Sequence, residues 1–225
     1  MVEYYRGPYK EHGILRTWRF RLDGHSLQHP IEHLCRYAEK HLVPKENRYT
    51  LEEMEATWSQ NPEISPNRSL KIREFLNNNK DSENFKSIIL LSGEPGNGKT
   101  TTMYAMVLEF LENKPDGRVD IVRWFDLCQI CSAAAGFNDQ AMEYLDGYHN
   151  AELLAIDELG EAGTTTRLDA IQDLIKKRRE RGRKTILNSN LDYEHTKQAI
   201  GDKIVSRIEL VIKFEEDSYR TMEIV

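Results

Sequence analysis

Residues 93–100 read GEPGNGKT, a G-x-x-x-x-G-K-[ST] loop set between an apolar run at 87–92 (SIILLS) and a helical stretch at 100–112. No other feature constrains the chain as strongly. The loop works only when its backbone N–H groups turn inward at the head of a helix, and the glycines permit that turn. Lys99 would carry a compact positive charge to the β- and γ-phosphates, and the Thr100 hydroxyl would ligate Mg2+. Gly93, Glu94, Pro95, Gly96, Asn97, Gly98, Lys99, Thr100 and Thr101 are therefore expected to hold ATP. The bare pattern arises by chance in roughly one chain of this size in a hundred. A strand before it and a helix after it set this one apart.

The alternation continues downstream. Apolar strands are expected at 119–125, 153–157, 185–190 and 208–214, with helical segments at 126–145, 167–181 and 194–201 between them. Continuous apolar strands separated by helices predict an α/β fold with a mainly parallel five-stranded sheet covered on both faces. The 153–157 strand runs into Asp157 and Glu158, the first suited to the Mg2+ shell and the second to orienting and deprotonating water. At the end of the 185–190 strand, a neutral amide could hold that water; Asn190 is the first choice and Asn188 the second. Arg207 precedes the last strand and could neutralise charge on a γ-phosphoryl group, although a surface salt bridge is the plainer reading.

Residues 1–61 differ in texture. They offer a strand at 17–22, a helix at 30–42 and a capping box from Thr50 to Glu53, and two prolines at 62 and 66 mark a boundary. The expected division is an N-terminal partner-binding region at 1–61 and an ATPase domain at 62–225. Trp18, Phe20 and Trp58 are expected in the small region's core.

The net charge of −6 argues against a broad duplex-DNA face. The one dense basic stretch holds seven cations in nine residues: Lys176, Lys177, Arg178, Arg179, Arg181, Arg183 and Lys184. Such charges suit a helix C-terminus, and could equally meet single-stranded DNA. Three cysteines are too few for a disulfide framework and favour a reducing cytoplasm. Cys128 and Cys131 read as buried helix residues, and His29, His33 and Cys35 fit no zinc spacing. No apolar run reaches the roughly 18–20 residues needed to cross a bilayer, and the N-terminus has no apolar signal segment.

With GEPGNGKT, LLAIDELG, IKKRRERGRK, TILNSNL, GDKIVSRI and DSYR in view, residues 62–225 resemble the AAA+ helicase loaders of the DnaC/DnaI type and the related IstB transposition ATPases. The resemblance implies sheet order 5-1-4-3-2, counted from the loop strand, with the nucleotide at the strands' carboxyl edge. It implies Asn190 as sensor and Arg207 as a finger acting on a neighbouring subunit. It also implies a domain without a helical lid, and leaves only Arg220 as a candidate second sensor. The function so implied is a Mg2+-dependent ATPase, slow until it oligomerises on ATP, that grips a replicative helicase through 1–61 and places it on single-stranded DNA. A transposition ATPase acting on duplex DNA and a nucleotide-gated adaptor are the alternatives.

Overall fold

Strand β3 (Ile88–Gly93) has its first five residues buried and hydrogen-bonds to a parallel neighbour on each side. The computed structural model describes residues 4–6, 16–20, 49–59, 67–78, 81, 85–114, 117–160 and 168–215. Before β3 come β1 (Tyr4–Arg6), β2 (Arg16–Phe20), α1 (Leu51–Ser59) and α2 (Asn67–Asn77). After it come α3 (Lys99–Asn113), β4 (Val119–Arg123), α4 (Trp124–Ala135), α5 (Asp139–Asn150) and β5 (Leu153–Asp157). The described chain then runs through α6 (Leu168–Glu180), β6 (Lys184–Ser189), α7 (Tyr193–Ile200), α8 (Asp202–Val205) and β7 (Leu210–Phe214).

The sheet order is β1-β2-β4-β5-β6-β3-β7. Its five parallel strands, counted from the loop strand, follow the expected 5-1-4-3-2. Because side chains alternate across a strand, each parallel strand feeds two cores. Ile89, Leu91, Ala155 and Ile186 join Met103, Met106 and Phe110 on one face, while Ile88, Leu90, Leu154, Ile156 and Leu187 meet α4–α8 on the other. Burial on both faces explains why these strands read as unbroken apolar runs.

The N-terminal elements join this body. β2 pairs antiparallel with β4, Arg16 opposite Ile121, and β1 pairs with β2. The capping box forms as expected: Thr50 N donates to Glu53 Oε2 at 2.8 Å and Glu53 N to Thr50 Oγ1 at 3.2 Å. Leu51, Met54 and Trp58 on α1 lie in the same core as α2 and α3, so residues on both sides of position 61 share one interior. Arg68 on α2 stacks over Phe214, 4.1 Å from the ring centre, and over Trp58 at 5.4 Å. The helix expected at 30–42, the proline start of α2, the side chains of Trp18 and Phe20, and His29, His33, Cys35 and Arg220 lie outside the described residues.

Two local expectations change. The helical stretch expected at 126–145 is two helices, broken at Phe137, which takes a left-handed φ of 60°, and restarted by the Asn138 side chain accepting from Ala141 N. The basic stretch is not one exposed face. Arg178 is fully buried and donates to the carbonyls of Tyr148, Ala151 and Lys184 and to Thr185 Oγ1. Lys184 is also buried, its ammonium turned onto the carbonyls of Phe75 and Asn78. Both are corrected from DNA-contact candidates to internal ties. Their carbonyl partners are contributed by other elements, which is why charge density alone misplaced them.

Candidate nucleotide-binding site

β3 delivers the loop at the carboxyl edge of the sheet, and α3 starts directly beneath it. Gly96 and Gly98 adopt left-handed φ values of 95° and 81°, the conformations the loop needs to reverse onto the helix head. Gly93 has a different duty. A Cβ there would stand 2.1 Å from the Phe214 carbonyl oxygen, so only glycine allows β7 this close. Asn97 Nδ2 donates to the same carbonyl at 2.8 Å, which ties the loop to the end of β7. The Asn97 side chain is thus a strut, leaving its backbone for the phosphate cradle. Lys99, also buried, donates to Glu94 O at 2.6 Å and Asn97 Oδ1 at 3.3 Å, and is held across the loop. Glu94 and Pro95 form the exposed rim, and Thr101 lies half-buried in the first turn of α3.

Across the loop stands the end of β5. Thr100 Oγ1 lies 3.5 Å from Asp157 Oδ1, and Asn188 Nδ2 donates to Asp157 Oδ1 at 2.5 Å and to Thr100 Oγ1 at 3.0 Å. A hydroxyl and a carboxylate side by side form a hard oxygen donor set of the kind Mg2+ prefers. Asn188 Oδ1 is buried and has no hydrogen-bond partner among the described residues. These features fit a magnesium nucleotide: Thr100 and Asp157 would hold the ion directly or through water, and the ion would supply charge neutralisation at the phosphates.

Glu158 follows with a left-handed φ of 57°, unusual for a residue with a side chain. Its own N–H donates to Asp157 Oδ1 at 2.9 Å, and Leu159 N donates to Asn188 O at 2.8 Å, so the two strand ends hold this turn. Asn190 lies beyond the last residue of β6, in the turn before α7. That turn is tied down by Ser92 Oγ donating to Leu191 O at 2.8 Å, and Asp192 caps α7 by accepting from His195 N. Asn188, on β6 itself, is thus brought to Thr100 and Asp157, and Asn190 stands two residues further on.

Two neighbours escaped the sequence reading. Burial pushes the Tyr104 phenol on α3 up to about 12, with the charges of Asp157 and then Glu158 adding to it. Arg123, at the end of β4, pairs in register with Asp157, and its guanidinium is raised by Asp126 first and by Glu158 and Asp157 after it. An i, i+4 step from Thr100 was the available signal for Tyr104.

Arg207 is not part of this cluster. β7 runs parallel to β3, with Leu210 opposite Ile89 and Phe214 opposite Gly93. Arg207, ahead of Leu210, therefore sits at the amino edge of the sheet, about 17 Å from the loop edge at the usual rise per residue. Its side chain donates to Lys203 O. Cys128 and Cys131 are buried on α4, as expected, and no helix among the described residues is long and apolar enough to cross a membrane.

A loop-bearing 5-1-4-3-2 sheet with a Thr–Asp pair facing the loop defines a P-loop nucleotide-binding protein. The chain belongs to the IstB-like ATP binding protein family, whose model matches residues 36–221. It is 30% identical over 156 residues to the replicative helicase loader DnaC of Buchnera aphidicola subsp. Baizongia pistaciae (strain Bp), covering 66% of this chain and 61% of that one. Among solved structures it resembles a DnaC helicase loader (TM-score 0.59, 24% identity, 76% of this chain and all of that one). It also resembles AMPPCP-bound DnaA from Aquifex aeolicus (TM-score 0.60, 23% identity, 78% and 51%). The chain thus spans less than two thirds of the curated relative and about half of the DnaA chain.

Proposed function

We propose that this protein is an ATP-dependent helicase loader whose hydrolysis is completed between subunits. ATP and Mg2+ bind at Gly93–Thr101 and Asp157, Glu158 takes the proton of the attacking water, Asn190 helps position that water, and Arg207 reaches the γ-phosphate of the next subunit. The observation that carries the reading is the place of Arg207 ahead of β7, at the amino edge of the sheet and away from the loop at its carboxyl edge, which supports its use by a neighbouring subunit. Oligomerisation on ATP then follows, because the nucleotide lies where the next subunit's arginine must dock. The likeness to a DnaC loader supports a replicative helicase as partner, with residues 1–61 as the gripping region and single-stranded DNA as the track onto which it is placed.

Mixing tests the shared site. Glu158→Gln and Arg207→Ala should each abolish turnover, and an equimolar mixture should recover roughly a quarter of it, the share of interfaces that pair two intact halves. No recovery would place Arg207 outside the chemistry. Co-purification with a hexameric replicative helicase tests the partner. The match to the IstB-like family favours a second reading, assembly on duplex DNA as a transposition ATPase. Salt-sensitive duplex binding without helicase capture would select it.

A further inference from the structure

The seven cations of the basic stretch separate once their partners are counted. Arg178 and Lys184 are internal. Lys177 pairs with Asp173 at 2.7 Å, Arg179 with Glu209 at 3.0 Å, and Lys176 lies 3.9 Å from Glu180. Among the described residues, Arg181 and Arg183 pair with no carboxylate; Arg181 meets only the Asn150 side chain, at 3.4 Å. Gly182 between them takes a left-handed φ of 67° and closes the end of α6, its N–H donating to Arg179 O.

Both arginines open onto a groove of about 450 Å³ at the amino edge of the sheet, opposite the nucleotide loop. This lies within the roughly 300–1,000 Å³ typical of ligand sites. Lys114, from the end of α3, lines it together with its ion-pair partner Glu152, the only carboxylate among the described lining residues. Phe85 forms part of the wall, half-buried, with the Lys184 ammonium 5.3 Å from its ring centre. Asn77, Asn78, Asn113 and Lys184 complete the polar lining. Cations, amides and a half-buried aromatic ring in one groove match the chemistry of a single-stranded nucleic acid: phosphates for the arginines, a base for the ring and the amides. An acidic peptide would use the arginines but not the ring.

We propose that this amino-edge groove is a single-stranded nucleic-acid site, with Arg181 and Arg183 holding backbone phosphates and Phe85 stacking a base. It rests on the single-strand part of the loading reading and moves the contact from the outer face of α6 to the groove. A deoxythymidine oligomer carrying a fluorophore, titrated with the full chain in the presence of AMPPCP, tests it by anisotropy. The double variant Arg181→Gln/Arg183→Gln should weaken binding about tenfold or more, and should flatten the slope of log K against log salt by about 1–2. Phe85→Leu should weaken binding by at least about fivefold while leaving that slope unchanged, because stacking releases no counterions. Fluorescent-ATP affinity and thermal midpoint should stay at wild-type values in both. Wild-type binding by the double variant, no binding by the wild-type protein at low salt, or equal competition by polyglutamate would each overturn the proposal. Helicase capture is scored separately: oligomer binding without helicase sinks the loading reading and leaves the groove, and helicase capture without oligomer binding does the reverse.

Discussion

Asn188 Nδ2 stands 2.5 Å from Asp157 Oδ1, so an amide from β6 orients the carboxylate that would share Mg2+ with Thr100. A partner that fixes a metal-binding carboxylate contributes to metal affinity almost as a ligand does. Asn188→Ala should raise the Mg2+ concentration needed for ATP turnover about 10–100-fold. Asn190→Ala should slow turnover while leaving that requirement in place. A Mg2+ titration of steady-state hydrolysis checks both, and an unchanged requirement in Asn188→Ala would deny the amide this role.

Gly93 gives a sharper structural prediction. Gly93→Ala sets a methyl against the Phe214 carbonyl, backbone against backbone, so neither side can yield without unpairing β3 from β7. The expected loss is about 4 kcal/mol or more, read from urea unfolding. Gly136→Ala is the control: its Cβ would meet Ala133 O at 3.3 Å with φ at −85°, and it should change stability by less than about 1 kcal/mol.

Lys184 predicts a pH dependence. Burial lowers its ammonium from 10.5 to about 8. Between those values the unfolded chain keeps a proton that the folded one has released, so stability rises with pH across that window. Below about pH 8 both states are charged and the burial penalty is fully present. Relative to Lys184→Met, the wild-type protein should therefore gain on the order of 2 kcal/mol between pH 7 and pH 10. Parallel denaturant curves for the two proteins at each pH measure the difference, and equal trends would contradict it.

Cys128 and Cys131 should be chemically silent. Burial pushes the Cys131 thiol up to about 12, with Cys128 adding to it, which lowers its thiolate fraction about a thousandfold against a free cysteine. In a Cys35→Ser background, a thiol reagent at pH 8 should label the protein only on addition of denaturant. Fast native labelling would mean that α4 opens readily.

Much of the nucleotide site was legible because its chemistry is local. The loop, its strand and its helix are contiguous, and Asp157 ends a strand whose apolar run announces itself. Asn188 against Asn190 was harder. Residues two apart on a strand face the same way, and what separates these two is where β6 stops, at Ser189, which no side-chain pattern marks. Arg178 and Lys184 failed for a long-range reason. Their carbonyl partners come from α2 and the residue after it, α5, the segment leading into β5 and the first residue of β6, and converge only in the folded sheet. The attachment of β2 to β4 is of the same kind: residues 17–22 suggested a half-exposed strand, but nothing in them named the neighbour.

β7 gives the Gly93 and Asn97 contacts a wider meaning. One end of this five-residue strand is clamped to the phosphate loop, and the other begins two residues after the turn carrying Arg207. If Arg207 serves the next subunit, a single rigid rod joins the pocket a subunit fills to the residue it lends. A row of such subunits would be a chain of levers, each with its fulcrum at Phe214, and loosening that one carbonyl would slacken the phosphate loop through Asn97 and the tie to the next subunit together.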